Sequence, residues 1–181
     1  TSVTRPASHL YSIFRMDKVE ILILRNLLYN EEYLRKVIPF IKADYYEDSN
    51  QRIVFEEIEK FVQEYNQPAT KEVLCIEVEK RQDINDTTFS EITKLISYLE
   101  DVPTDYEWLC DTTEKWCRDR AIYLALMESI ALADGKDKDK DRGAIPSILS
   151  NALAVSFDTH IGHDYLIDYE ERYQAYHKKE D

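Results

Sequence analysis

TDYEWLCDTTEKWCRDRAIYLALMESIALAD, residues 104–134, is the stretch that decides the fold. Thr104 followed three places on by Glu107 makes a capping box, in which hydroxyl and carboxylate satisfy reciprocal backbone donors. The spacing predicts a helix running to about Asp134, roughly 45 Å long at 1.5 Å per residue. Its apolar residues fall on more than one face. Leu109, Thr113, Trp116, Leu124 and Met127 share one face, with Cys110, Cys117, Ala121 and Ala125 beside them. A helix this long and this widely apolar needs two partners. One is the core of its own domain, and the other is expected to be another subunit.

Downstream, GKDKDKDR reads as a polar turn, and GAIPSILSNALAVSF as a return helix with Pro146 in its first turn. Together the two arms make an αα-hairpin. Trp116, Leu124, Ile148, Leu149, Leu153 and Phe157 are the candidates for its buried faces and for an oligomer interface. After Gly162 a final helix carries Tyr165, Leu166, Tyr169, Tyr173 and Tyr176 at helical spacing. No later element is there to cover that stripe, so it reads as a docking surface. Gly162, His163 and Asp164 read as the hinge before it.

Upstream, the same periodicity recurs. VEILILRNLL is apolar nearly all round and predicts a buried central helix. Asn30 can cap a second helix striped by Tyr33, Leu34, Val37, Ile38 and Ile41, which Pro39 kinks or closes. Ser49 is the expected cap of a third helix, Thr70 of a fourth, and Thr88 with Glu91 forms a second capping box. Only three glycines and five prolines interrupt 181 residues, which disfavours sheets and tight hairpins. The fold class is all-α: a small helical globule, then a hairpin, then a linker helix.

The formal net charge of −13 repels phosphate backbones, so weak or no direct DNA binding is expected, and a basic protein partner fits better. No apolar run reaches the ~20 residues of a membrane span. Cys75, Cys110 and Cys117 follow no zinc spacing and read as reduced core thiols.

Three motifs invite a chemical reading. Asp137, Asp139 and Asp141 have calcium-loop spacing, but the sixth and twelfth positions hold Arg142 and Ile148 instead of Gly and Glu. The single Gly-Lys pair, Gly135-Lys136, is followed by Asp137, so there is no nucleotide-binding GxxxxGK[ST] loop. HIGHD, residues 160–164, holds a His-Asp doublet of the kind that HD-type metal phosphohydrolases use. A further histidine upstream exists only at His9, and Gly162 breaks the geometry, so a hinge is the plainer reading. No catalytic residue, metal ligand or cofactor-binding residue is assigned.

MDKVEILILRNLLYNEEYLRKVIPFI, DSNQRIVFEEIEKFVQEYNQPATKEVL, GAIPSILSNALAVSFD and above all SFDTHIGHDYLIDYEERY carry a resemblance. They resemble the N-terminal domain and linker of T-even-type bacteriophage replicative helicases, relatives of the DnaB family. The resemblance implies a collar on a hexameric ring, built by pairing of hairpins between subunits. It implies partners in primase, a helicase loader and the neighbouring subunit, and a place in the cytoplasm of the infected host. ATP or GTP and Mg would belong to a 5′–3′ helicase ATPase domain beyond Asp181, so no enzyme activity is expected of residues 1–181 alone. On this reading residues 1–15 are an arm or a cloning remnant, 16–102 the globule, 103–161 the hairpin and 162–181 the linker helix. Two rivals are an HD-like metal-dependent phosphohydrolase and a free-standing helical adaptor.

Overall fold

The computed structural model describes residues 8–136 and 138–157, with side chains from Lys18 onward. It is all-α, as the glycine-poor composition predicts. Seven α-helices and two 3-10 turns form it, with no strand among the described residues.

Helix α1, Ser8–Tyr29, begins inside the segment expected to be an arm. Ile23, Leu24 and Leu27 are fully buried, so the helix is central, as its all-round apolar pattern requires. Helix α2, Glu31–Val37, opens on Asn30, whose Oδ1 accepts the Tyr33 N–H at 3.0 Å. It closes two residues before Pro39. After a 3-10 turn at Ala43–Tyr45 comes α3, Ser49–Tyr65. Asn66 ends α3 in the left-handed region at φ 51, and its side chain and carbonyl both accept from Arg35. Helix α4, Lys71–Glu79, starts at Thr70 as expected. Helix α5 is Asp86–Ser97 and α6, the long one, is Tyr106–Ala133.

Three caps differ from the expected residue. Asp48 rather than Ser49 caps α3, Asn85 rather than Thr88 caps α5, and Asp105 rather than Thr104 caps α6. In each case an Asp or Asn side-chain oxygen accepts the backbone N–H three residues on, at 2.8–2.9 Å. The hydroxyl side chains lose because Asn and Asp reach that donor at least as well, and a carboxylate also meets the positive helix end. Displaced from its box, Glu91 accepts from Asn50 instead.

Helices α1 to α5 and the first half of α6 enclose one core. Tyr33 and Thr113 meet inside it, oxygen to oxygen at 2.6 Å. The Thr113 hydroxyl donates to the Leu109 carbonyl, so Tyr33 is the donor of that pair. Beyond the core α6 packs against α7, Ile145–Leu153, to form the expected hairpin. The return helix is shorter than its apolar pattern predicts, because α6 captures the backbone that would have continued it. Arg118 donates to the Val155 carbonyl at 3.0 Å, and Glu114 accepts the Phe157 N–H at 3.1 Å. Glu114 and Arg118 are themselves paired at 2.6 Å. The chain is thereby led back to the globule, where the Phe157 ring lies 4.7 Å from that of Phe40.

Candidate assembly surface

The long helix changes surroundings half-way along. On its inner half Leu109, Cys110, Thr113 and Cys117 are buried in the core. Trp116 packs on Tyr46 and edge-on to Tyr45, with ring centroids 4.9 and 5.9 Å away. Arg120 is the junction. Only 8% exposed, it donates to the Tyr45 carbonyl at 2.6 Å and to Glu47 at 2.8 Å. Its guanidinium also lies 4.9 Å from the centre of the Tyr123 ring. A planar fork that bonds on two sides and stacks on a ring suits arginine and not lysine.

Past Arg120, one face of α6 carries Ala121, Leu124, Ala125 and Glu128. These residues share a cleft with Ile148, Asn151 and Ala152 of α7, and with Lys42 and Tyr45 of the globule. Lys140 pairs with Glu128, and Arg142 donates to the Ala133 carbonyl, tying the turn to the helix end. At 100° per residue, Tyr123, Leu126, Met127 and Ile130 point away from that cleft. They form an i, i+3, i+4, i+7 stripe, the spacing of an apolar helix face. Each is 47–55% exposed, and no described element covers them. Four large apolar side chains in one row on a projecting helix mark a surface built to be covered.

The expected interface residues fall into two groups. Trp116 and Phe157 face the chain's own core. Leu124 is packed against that core, Ile148 and Leu149 are half-buried, and Leu153 is 65% exposed. Tyr123, Leu126 and Ile130 are not among the expected interface residues, and Met127 is expected on one face with Leu109, Thr113, Trp116 and Leu124. The i, i+3, i+4, i+7 spacing was the available signal. Tyr165, Leu166, Tyr169, Tyr173 and Tyr176, with Gly162, His163 and Asp164, lie outside the described residues, as does the whole HIGHD segment.

The titratable groups suit packing better than catalysis. Burial pushes the Cys110 and Cys117 thiols up, and Cys75 rises for the same reason, so none is poised as a thiolate. Burial also raises Glu20 to about 7, beside Trp116 and Glu47 and within the field of Arg120 at the foot of the hairpin. Among the described residues no three His, Cys, Asp or Glu side chains gather as metal ligands. Nor is any described helix long and apolar enough to cross a membrane.

No established family profile matches the chain. Over 166 residues it is 33% identical to the DnaB-like replicative helicase of Enterobacteria phage T4. This chain is a homologue of part of a DnaB-like replicative helicase. The match takes in 87% of this chain and 35% of the helicase, so the chain spans about a third of its relative's length. The likeness to phage DnaB-like helicases read from the helical segments is thus borne out over most of the chain. In this chain the α6–α7 hairpin and its outward stripe are the features that reach beyond the globule.

Proposed function

We propose that this chain forms the collar of a hexameric phage replicative helicase, an oligomerisation and recruitment domain that performs no catalysis itself. The observation that carries the reading is the stripe of Tyr123, Leu126, Met127 and Ile130 on a helix already packed on its other side. A second copy, laid against the same stripe, would bury both apolar faces in a self-complementary contact. Relatedness to a DnaB-like helicase supports a ring context for that contact. On this reading the globule, through recruitment of a primase and a helicase loader, ties the ring to the rest of the replication machinery. NTP hydrolysis, Mg binding and 5′–3′ translocation belong to a separate ATPase domain. The segment holding Tyr165, Tyr169, Tyr173 and Tyr176 would dock on a neighbouring subunit.

Light scattering on the purified chain tests the proposal. Dimers or larger species are expected, and the Leu126→Asp/Ile130→Asp variant should be monomeric with an unchanged helical circular dichroism spectrum. An assembly that ignores both substitutions would overturn the role given to the stripe.

A further inference from the structure

A second apolar surface lies on the globule, between α3 and α4 and apart from the hairpin. Phe61 and Tyr65, one turn apart on α3, pack with their rings tilted and centroids 4.7 Å apart. Across from them α4 presents Val73 and Ile76, and the four residues line an open groove of about 230 Å³. Ile76 is 52% exposed and Tyr65 56% exposed, so the lining is apolar and accessible. The volume falls below the ~300–1,000 Å³ of typical small-molecule pockets. A row of side chains from another protein suits it better.

The polar lining is acidic. Glu57, Glu64 and Glu77 line the groove against a single ammonium, Lys60. Lys60 pairs with Glu77, as does Lys80. Beside them one guanidinium, Arg81, serves three carboxylates: Glu56, Glu57 and Asp83. Glu57 is only 5% exposed. Its Oε1 accepts from Arg81 at 2.9 Å, while its Oε2 is buried and accepts no hydrogen bond among the described residues. Glu64, by contrast, is exposed at the groove's edge, where a cationic side chain can reach it.

We infer that the α3–α4 groove docks a basic amphipathic helix of another protein. Its apolar face would meet Phe61, Tyr65, Val73 and Ile76, and a Lys or Arg on its flank would donate to Glu64. The charge weighs against the obvious rivals. A nucleic acid would bring phosphate to carboxylate. A second copy meeting the same surface would bring one acidic groove lining to another. The inference deepens the recruitment half of the proposed function and rests on that reading, but it uses a surface the hairpin stripe does not share.

The test is fluorescence anisotropy with the 181-residue chain and a labelled peptide of about 18 residues, long enough to hold a helix. The peptide has Leu at i, i+3, i+4 and i+7 and Lys or Arg elsewhere. A scrambled peptide of the same composition controls for bulk charge. The patterned peptide should bind about tenfold more tightly than the scrambled one. Ile76→Ser and, separately, Glu64→Lys should remove most of that advantage, and Leu126→Asp/Ile130→Asp should leave it intact. Equal binding of both peptides, or indifference to Ile76→Ser, would overturn the inference. So would loss of binding with the stripe variant alone, or a change of oligomeric state on Ile76→Ser, which would assign the groove to a second copy. Failure of the collar reading shows instead in light scattering with peptide binding preserved.

Discussion

The two halves of α6 differ in composition and are opposite in circumstance: charged residues are frequent on the inner half, while the outer half is mostly apolar. On the inner half, apolar and small side chains are sealed by α1, α2 and the 3-10 turn at Ala43–Tyr45, and the polar groups that enter are matched. On the outer half α7 seals one face, and the other leaves four large apolar residues half in water. One helix therefore does two jobs. Its inner half contributes to the stability of the single chain, and its outer half is proposed to hold chains together. Substitutions on the inner half should lower unfolding free energy whatever the concentration. Those on the outer half should act on assembly.

The largest expected effect is on the inner side. Leu109→Ala leaves a cavity in a fully buried site and should cost about 2–5 kcal/mol in urea unfolding. Next is the junction. Arg120→Ala strips the Tyr45 carbonyl and Glu47 of their donor and should cost about 2–3 kcal/mol. Arg120→Lys should recover only part of it, because one ammonium cannot reproduce the fork and the stack on Tyr123.

Glu20 gives the comparison a pH axis. Burial raises its carboxyl from 4.5 to about 7, so between those values the folded chain holds a proton that the unfolded chain has released. Its contribution to stability is therefore fully present below pH 4.5 and lost as the pH climbs through about 7. Glu20→Gln should flatten that part of the stability profile and raise stability at pH 8 by about 1–2 kcal/mol. A profile unchanged by the substitution would mean that Glu20 stays charged in the fold. The smallest effect on unfolding belongs to the outer half. Leu126→Ala should alter it by no more than about 0.5 kcal/mol under dilute conditions, while still weakening self-association.

Much of this organisation is legible in the sequence, and the gaps have physical causes. The all-α class follows from scarce glycine and from stripes such as Val54, Phe55 and Ile58, all fully buried. Asn30 and Thr70 were identifiable as caps because each stands alone at its helix start. At Asp48-Ser49, at Asn85 to Thr88 and at Thr104-Asp105 several acceptors compete within a few residues. Local spacing does not rank them. The return helix stops at Leu153 because Glu114 and Arg118, some 40 positions away, take its backbone groups, a long-range cause that periodicity does not carry. The stripe was hidden for a related reason. On the outer half of α6, which is apolar nearly all round, spacing marks the stripe, but the position of α7 decides that this face is the one left uncovered.

Dipolar spin-label spectroscopy on the chain labelled at Met127→Cys tests most directly the claim that the outer face of α6 is where copies meet. The native thiols stand apart from that face, with Cys110 and Cys117 buried. Labels on two copies should show a strong intermolecular coupling that disappears when Leu126→Asp is added, and a label at Glu79→Cys on the globule should show a much weaker one. An assembled species in which the Met127→Cys label gives no intermolecular coupling, or one that Leu126→Asp leaves unchanged, would contradict the account.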